Sequence, residues 1–123
     1  MPSESDEYVN IEKLKERVRH FVRERDWEKY HNPKDLAIAI SVEAGELLEL
    51  FQWMKENEVE KIKENDTFMK NIERELADIL NFCLNLANVL DLDLTEIILS
   101  KLKEAEKKYP KEKYKGVWSK PEG

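Results

Sequence analysis

The sequence predicts an all-α protein built as a bundle of four helices. Three observations favour this fold class. Apolar residues recur at helical spacing over long segments, and no segment shows the alternation of apolar and polar residues that is typical of a strand. The 3 glycines and 4 prolines fall at segment edges, apart from Gly45. A chain of 123 residues corresponds to one domain.

The first two helices are expected on either side of a connection rich in aromatic residues. The apolar spacing predicts a first helix over about residues 9–25, followed by the connection over 26–32. Asn32 favours a helix start, because Asn is a good N-cap residue. Pro33 supports it, since proline at the first helical position gives up a donor that has no partner there. The second helix is expected to reach about Lys55.

A charged segment and a long third helix follow. Residues 56–65 carry few apolar side chains, which predicts a loop or a short surface helix. Asn65 or Asp66 is the expected cap of a third helix that runs to about Leu90. Its apolar residues keep helical spacing over the whole length, so this is the longest predicted element.

The fourth helix begins at a motif that resembles a capping box, Asp93-x-x-Glu96, and ends before Pro110. The residues beyond Pro110 include Gly, Pro and Lys and are expected to be extended or loose. The predicted organisation is a polar N-terminal tail at 1–8, one helical domain at 9–110 and a C-terminal tail at 111–123.

Composition argues against two classes of partner. The 21 basic and 27 acidic residues give a net charge of -6, opposite to the balance of a protein that binds a nucleic-acid duplex. No segment approaches the roughly 18 apolar residues of a membrane span, and the N-terminus is acidic and polar, unlike a signal peptide. Cys83 is the single cysteine, which suits a reducing compartment and predicts a cytoplasmic location. We expect its thiol to be packed among apolar neighbours.

Four acidic residues lie on the apolar sides of the second and third predicted helices. Each residue advances roughly 100° around a helix axis. Glu43 falls in the middle of one apolar stripe with Glu46 on the same side, whereas Glu49 turns towards solvent. Glu75 falls inside the other stripe, and Asp78 lies at its edge. The stripes comprise Leu36, Ile40, Leu47, Leu50 and Met54 on the second helix and Phe68, Ile72, Ile79, Phe82, Leu86 and Leu90 on the third.

These acids predict a cation site if the two helices pack as antiparallel neighbours. An unpaired buried charge costs several kcal/mol, against a whole-domain stability of about 5–15 kcal/mol. Ligands that are all oxygen favour Mg²⁺ or Mn²⁺ over zinc. A di-iron site is disfavoured, because it uses Glu-x-x-His pairs and neither His20 nor His31 is three residues after an acid on these two helices. The alternative is that the stripes are mis-phased and that the acids are exposed.

The two acid pairs, Glu43-x-x-Glu46 and Glu75-x-x-Asp78, are separated by 28 residues. This arrangement resembles the signature of the all-α nucleotide pyrophosphohydrolases, a superfamily that includes MazG, the dimeric dUTPases and the dCTP pyrophosphatases. The resemblance covers about residues 21–110 and is strongest to the dCTP pyrophosphatase branch. The runs that carry it are Glu24 to Trp27, His31, Pro33, Glu43 to Leu47, Phe51 to Trp53, Glu75 to Leu80, Ser100, Lys101, Tyr109 and Pro110.

The resemblance implies hydrolysis of a nucleoside triphosphate to the monophosphate and pyrophosphate, as a housecleaning reaction on the nucleotide pool. It implies that the four acids hold Mg²⁺, with Mn²⁺ as a possible substitute, and that the ion lowers the pKa of the attacking water. Glu46, together with Glu43, is the expected catalytic carboxylate. A homodimer or homotetramer is also implied. Independently, the apolar residues of the second helix cover most of its circumference, which favours a subunit interface.

The resemblance also implies substrate contacts. Trp27 and Trp53 would stack on the base for roughly 1–3 kcal/mol each, or else pack in the core or at a subunit interface. Phe82 would line the same pocket or pack in the core. His31 would contact the nucleotide or cap the helix that follows it. The lysines contact phosphate or are simply solvated. These candidates are Trp27, His31, Trp53, Phe82, Lys101 and Lys108.

Two departures from the family pattern bear on the substrate. Relatives often carry Asn at the position of Ala105 and Arg at that of Lys108, and Lys keeps the charge but loses the bidentate fork. The preferred prediction is a dCTP-like or modified pyrimidine nucleotide. One alternative is the same chemistry on dUTP or another non-canonical triphosphate. The other is a non-catalytic helical interaction module, which would bind no Mg²⁺.

Overall fold

The computed structural model describes residues 4–119, and this part of the chain contains helices and turns but no strand. The all-α prediction is therefore confirmed. The α-helices are α1 Ile11–Glu24, α2 Pro33–Phe51, α3 Glu56–Glu60, α4 Asp66–Val89, α5 Leu94–Lys108 and α6 Lys111–Tyr114. Two 3-10 turns lie at Glu28–Tyr30 and Ile62–Glu64.

Each of the four longer helices begins at a residue whose side chain caps it. In every case a side-chain oxygen accepts a hydrogen bond from the backbone N–H three residues on, which satisfies one of the donors that a helix start leaves unpaired. The predicted starts of α2, α4 and α5 are confirmed. The caps are Asn10 on Lys13 (2.9 Å), Asn32 on Asp35 (2.9 Å), Asn65 on Phe68 (3.0 Å) and Asp93 on Glu96 (2.9 Å).

The end of α2 differs from the prediction. The helix stops at Phe51, short of Lys55. The ring of Phe51 packs edge-on against Phe68 near the start of α4, with ring centroids 5.6 Å apart and planes at 76°. The chain reverses at this contact, and α3 follows as the short surface helix that was one of the two expectations for this segment.

The C-terminal tail is not wholly extended, so that prediction was wrong for Lys111–Tyr114, which forms α6. The ring of Tyr114 packs edge-on against Tyr109, with centroids 5.3 Å apart. This aromatic contact gives the turn a packing partner that the polar sequence around it does not indicate. The predictions for residues 1–3 and 120–123 lie outside the described part of the chain.

The chain forms two compact units, of which the first ends at Asp91 and the second begins at Leu92. In the first unit, α4 packs along α2 and against α1. Phe51 contacts Phe68, and His31 contacts Asn85. Residue numbers therefore rise along α2 in the direction in which they fall along α4. α2 and α4 are therefore antiparallel neighbours, which is the condition under which the sequence predicts a cation site. The second unit contains α5 and α6.

The interior of the first unit is small. Leu36 on α2 is 2% exposed, and Val22 and Ala87 are also buried. Cys83 is half-buried on α4, and burial raises the pKa of its thiol, as expected for a packed cysteine. Over residues 4–119, the helices are too short or too polar to cross a membrane.

Candidate metal centre and nucleotide site

Three carboxylates meet between α2 and α4. Glu43 comes from α2, and Glu75 and Asp78 come from neighbouring positions on one face of α4. One carboxylate oxygen of each lies within 4.8 Å of the other two. Glu43 and Glu75 are half-buried, and Asp78 is exposed. The antiparallel packing thus brings together three of the four acids that were predicted to hold a metal ion.

Two oxygens of this cluster are buried without a hydrogen-bond partner among the described residues. They are Oε2 of Glu43 and Oε2 of Glu75. A buried polar atom is normally satisfied, because leaving it unpaired forfeits the hydrogen bonds that it made to water. Two unpaired carboxylate oxygens within one acidic cluster are therefore a sign that the cluster binds a cation or a proton.

The electrostatics of Glu43 point the same way. Its pKa is raised from 4.5 to about 7, first by a hydrogen bond with Glu46 and then by burial. A hydrogen bond with Glu75 and the charges of Glu46 and Asp78 raise it further. Without a cation, the cluster therefore retains a proton near neutral pH that an isolated glutamate would lose.

The donor set fits a hard divalent cation. All three groups are carboxylates, the ligands that Mg²⁺ and Mn²⁺ prefer. One oxygen of each group already lies within 4.8 Å of the other two, so these three residues could hold one such ion together. Glu46 is exposed and adjoins Glu43, but it lies outside the group of three. Its role as a ligand stays a prediction.

Two of the predicted nucleotide contacts lie side by side. The ring centroid of Trp27 is 6.2 Å from that of His31, and the indole also packs edge-on against Phe21 at 5.8 Å. The His31 side chain pairs with Asn85 of α4, whose Nδ2 lies 2.6 Å from Nδ1. The alternative reading of His31 as a cap was wrong, since the Asn32 side chain caps α2.

The other two aromatic candidates have different environments. Trp53 follows the end of α2 and is 86% exposed, so its indole does not pack in the interior of this chain. Phe82 is half-buried on α4, one turn after Asp78. Trp53 is thus available to a ligand or to another subunit, and Phe82 stays a candidate for both of its predicted roles.

The two lysine candidates lie on α5, in the second unit. Lys101 forms an ion pair with Glu104, with Nζ 3.3 Å from Oε1. The Nζ atom of Lys108 lies 5.8 Å from the ring centroid of Tyr109. Both lysines are exposed, whereas Ala105 is half-buried. Their contact with phosphate stays a prediction.

Two asparagines of α4 make contacts that the sequence pattern does not predict. Asn85 is buried against His31. The amide of Asn88 donates to the carbonyl oxygen of Lys15 at 2.9 Å and accepts from the Arg19 guanidinium at 2.8 Å. Amides within an otherwise apolar stretch are the signal that could have marked them, since a buried amide needs partners.

An all-helical chain whose acids converge between two antiparallel helices belongs to the class of helical proteins with a candidate divalent-cation site. The MazG-like family model matches residues 38–121. The chain belongs to the MazG-like family, and the resemblance stated from the acid pairs is confirmed.

Curated relatives place the chain near the dCTP pyrophosphatase branch. It is 34% identical over 100 residues to dCTP pyrophosphatase 1 of Bos taurus and to that of Homo sapiens. Each match covers 81% of this chain and 59% of the relative, so the chain spans about three-fifths of their length. A crystal structure of a pyrophosphatase from Archaeoglobus fulgidus is also similar. It is 38% identical with a TM-score of 0.74, and the match covers 81% of this chain and 92% of that one.

Proposed function

We propose that the chain is a nucleoside triphosphate pyrophosphohydrolase of the nucleotide pool, with a dCTP-like or modified pyrimidine nucleotide as substrate. The observation that carries the proposal is the cluster of Glu43, Glu75 and Asp78, in which two buried oxygens lack a partner. The relatives named dCTP pyrophosphatase 1 support the choice of base. The single cysteine supports a reducing, cytoplasmic setting.

The proposed cofactor is Mg²⁺, with Mn²⁺ as a substitute. Glu43, Glu75 and Asp78 would hold it, joined by Glu46 through a small side-chain shift. When bound, the ion neutralises charge on the phosphate oxygens and makes a water molecule more acidic.

Glu46 is the proposed general base. Its carboxyl is exposed and hydrogen-bonds to Glu43, so it can reach both solvent and the cluster. Glu46 accepts a proton from the water whose oxygen attacks the α-phosphorus. The bond from the α-phosphorus to the oxygen shared with the β-phosphorus then breaks. The products are the monophosphate and pyrophosphate.

The proposed nucleotide pocket begins with Trp27 and His31. Asp78 and Asn85, the partner of His31, are seven positions apart on α4, which is two helical turns on one face and a rise of roughly 10 Å. The aromatic pair therefore lies along the same helix pair as the acids. This separation suits a ligand that has phosphates at one end and a base at the other. Trp53 is proposed to stack on the base as well.

Assembly into a homodimer or homotetramer is part of the proposal. Ile38, Val42 and Leu48 on α2 are 51%, 53% and 67% exposed, more apolar surface on one helix than a monomer usually leaves open. A Cβ added at Gly45 would meet nothing within 4 Å in this chain. Glycine within a helix is unfavourable by about 1 kcal/mol relative to alanine, so close approach of a second subunit would explain it.

A panel of nucleoside triphosphates with Mg²⁺, followed by product identification, tests the reaction. We expect dCTP or a modified pyrimidine triphosphate to give the monophosphate and pyrophosphate. Faster turnover of dUTP or a purine analogue would change the proposed base but leave the proposed reaction in place. Release of orthophosphate would contradict the mechanism, and absence of both turnover and Mg²⁺ binding would favour the non-catalytic module.

A further inference from the structure

Asn85 is a buried polar residue with an unusual partner. The residue is 6% exposed, on a stretch of α4 that also carries Phe82, Leu86 and Val89. Its Nδ2 lies 2.6 Å from Nδ1 of His31, a residue 54 positions earlier in the chain. An amide NH₂ group can only donate, so Nδ1 must accept. A neutral imidazole that accepts at Nδ1 carries its proton on Nε2.

His31 is held from two other sides. Its backbone N–H donates to the carbonyl oxygen of Glu28 at 3.3 Å, and the Trp27 ring lies 6.2 Å away, tilted by 59°. The imidazole is half-buried and lines a cavity of about 260 Å³ that Arg19 also lines. Since Nε2 lies on the opposite edge of the ring from Nδ1, it points away from Asn85.

We propose that Asn85 is a positioning residue that keeps His31 in the Nε2–H form, so that Nε2 donates a hydrogen bond to an oxygen of the bound nucleotide. The inference rests on the proposed function, and it adds a residue and a hydrogen-bond direction to that site. The ligand atom must be an acceptor, because a protonated Nε2 can only donate.

The position of Asn85 indicates which part of the nucleotide is involved. It lies two turns of α4 beyond Asp78, roughly 10 Å along the helix. The phosphates would lie at the acids, so the oxygen that His31 meets belongs to the base or the sugar. The carbonyl oxygen of a pyrimidine and a sugar oxygen share the required chemistry, and ligands that carry one or both distinguish them.

The chain has 2 histidines, which makes the tautomer directly measurable. Long-range ¹H–¹⁵N spectra of the full chain should show His31 with Nε2 protonated and Nδ1 unprotonated at pH 8. His20 is exposed and pairs with Glu24 on α1, so it serves as the internal reference. A His31 ring with its proton on Nδ1 would overturn the inference.

Substitutions separate positioning from packing. A carboxylate at position 85 can only accept, so Asn85→Asp should place a proton on Nδ1 of His31. Asn85→Ala removes the partner and should give a mixture of tautomers, and it serves if the aspartate variant fails to fold. The matched control is Asn88→Ala, one turn later on α4, which should leave the His31 tautomer unchanged. An unchanged tautomer in both position-85 variants would overturn the role of Asn85.

Ligand binding and steady-state kinetics test whether Nε2 of His31 donates a hydrogen bond to the nucleotide. Addition of dCMP should shift the Nε2–H signal, whereas pyrophosphate should not. Deoxyribose 5-phosphate shifts it only if the acceptor is on the sugar.

Asn85→Asp should raise KM for the triphosphate about tenfold, as expected for one lost hydrogen bond, with a smaller change in kcat. In a His31→Phe background the same change should add nothing, and a full additional loss there would contradict the inference.

The two proposals fail separately. If the nucleotide panel gives no turnover, the proposed reaction is lost, but the tautomer and the effect of Asn85→Asp on it can still be observed. If turnover is normal and dCMP leaves the His31 signals unmoved, the donor role is overturned while the reaction stands.

Discussion

At the scale of single residues, Glu43 is the acid whose pKa its neighbours in the cluster raise. Its carboxyl lies among Glu46, Glu75 and Asp78, and hydrogen bonding to Glu46 is the main reason for its raised pKa. The position of these acids on apolar stripes made them predictable from the sequence. The pairing of His31 with Asn85 was not predictable in this way, because it joins distant residues through side-chain poses that no local pattern encodes.

The pH dependence of stability follows from Glu43. Its pKa is about 7 in the folded chain, above the ordinary value of 4.5. Between these values the folded chain keeps a proton that the unfolded chain has lost, so the stability of the metal-free protein should fall as pH rises from 4.5 to 7. Melting curves in EDTA measure this. Glu43→Gln should reduce the slope, and an unchanged slope would show that another group is responsible.

At the scale of elements, local signals determine where helices begin. The four side-chain caps are encoded within three residues of sequence, and the predicted starts at Asn32, Asn65 and Asp93 agree with the structure. The end of α2 was predicted less well. It has no Gly or Pro to mark it, and it coincides with the packing of Phe51 on Phe68, a tertiary contact. The helix starts could therefore be predicted from the local sequence, whereas the end of α2 depends on a tertiary contact.

Removal of the cap of α4 tests the capping argument. Asn65→Ala deletes the oxygen that accepts from the Phe68 N–H and should destabilise the protein by about 1 kcal/mol. Asn57→Ala changes an exposed asparagine inside α3 and is the matched control, with an expected effect within about 0.5 kcal/mol. Urea unfolding measures both. Equal losses for the two variants would mean that the hydrogen bond of the cap contributes little.

At the scale of the whole molecule, the apolar surface is the main feature that one chain leaves unexplained. Apolar residues around most of α2 predict a subunit interface, and large apolar side chains on α2 are exposed in the single chain. The pattern of one sequence gives the faces of each helix, but it does not specify which copy covers which face. The number of subunits therefore could not be derived from the pattern alone.

Light scattering tests the proposed assembly. We expect a particle mass in solution of two or four times the chain mass of 14.7 kDa. Leu48→Glu places a charge on the exposed apolar face of α2 and should shift the mass downward, because a buried unpaired charge is costly. Lys34→Glu, at an exposed polar position of the same helix, should leave the mass unchanged. A monomeric wild-type chain would contradict the assembly.

The central claim is that the carboxylates between α2 and α4 bind the cation used for pyrophosphate release. The most direct measurement is the rate of pyrophosphate release against Mg²⁺ concentration for wild type, Glu75→Gln and Glu73→Gln. Glu75 belongs to the cluster, whereas Glu73 is an exposed acid on another side of α4. Glu75→Gln should lower Mg²⁺-dependent release on the order of 100-fold or more, and Glu73→Gln should match wild type. Wild-type release and Mg²⁺ dependence in Glu75→Gln would contradict the account.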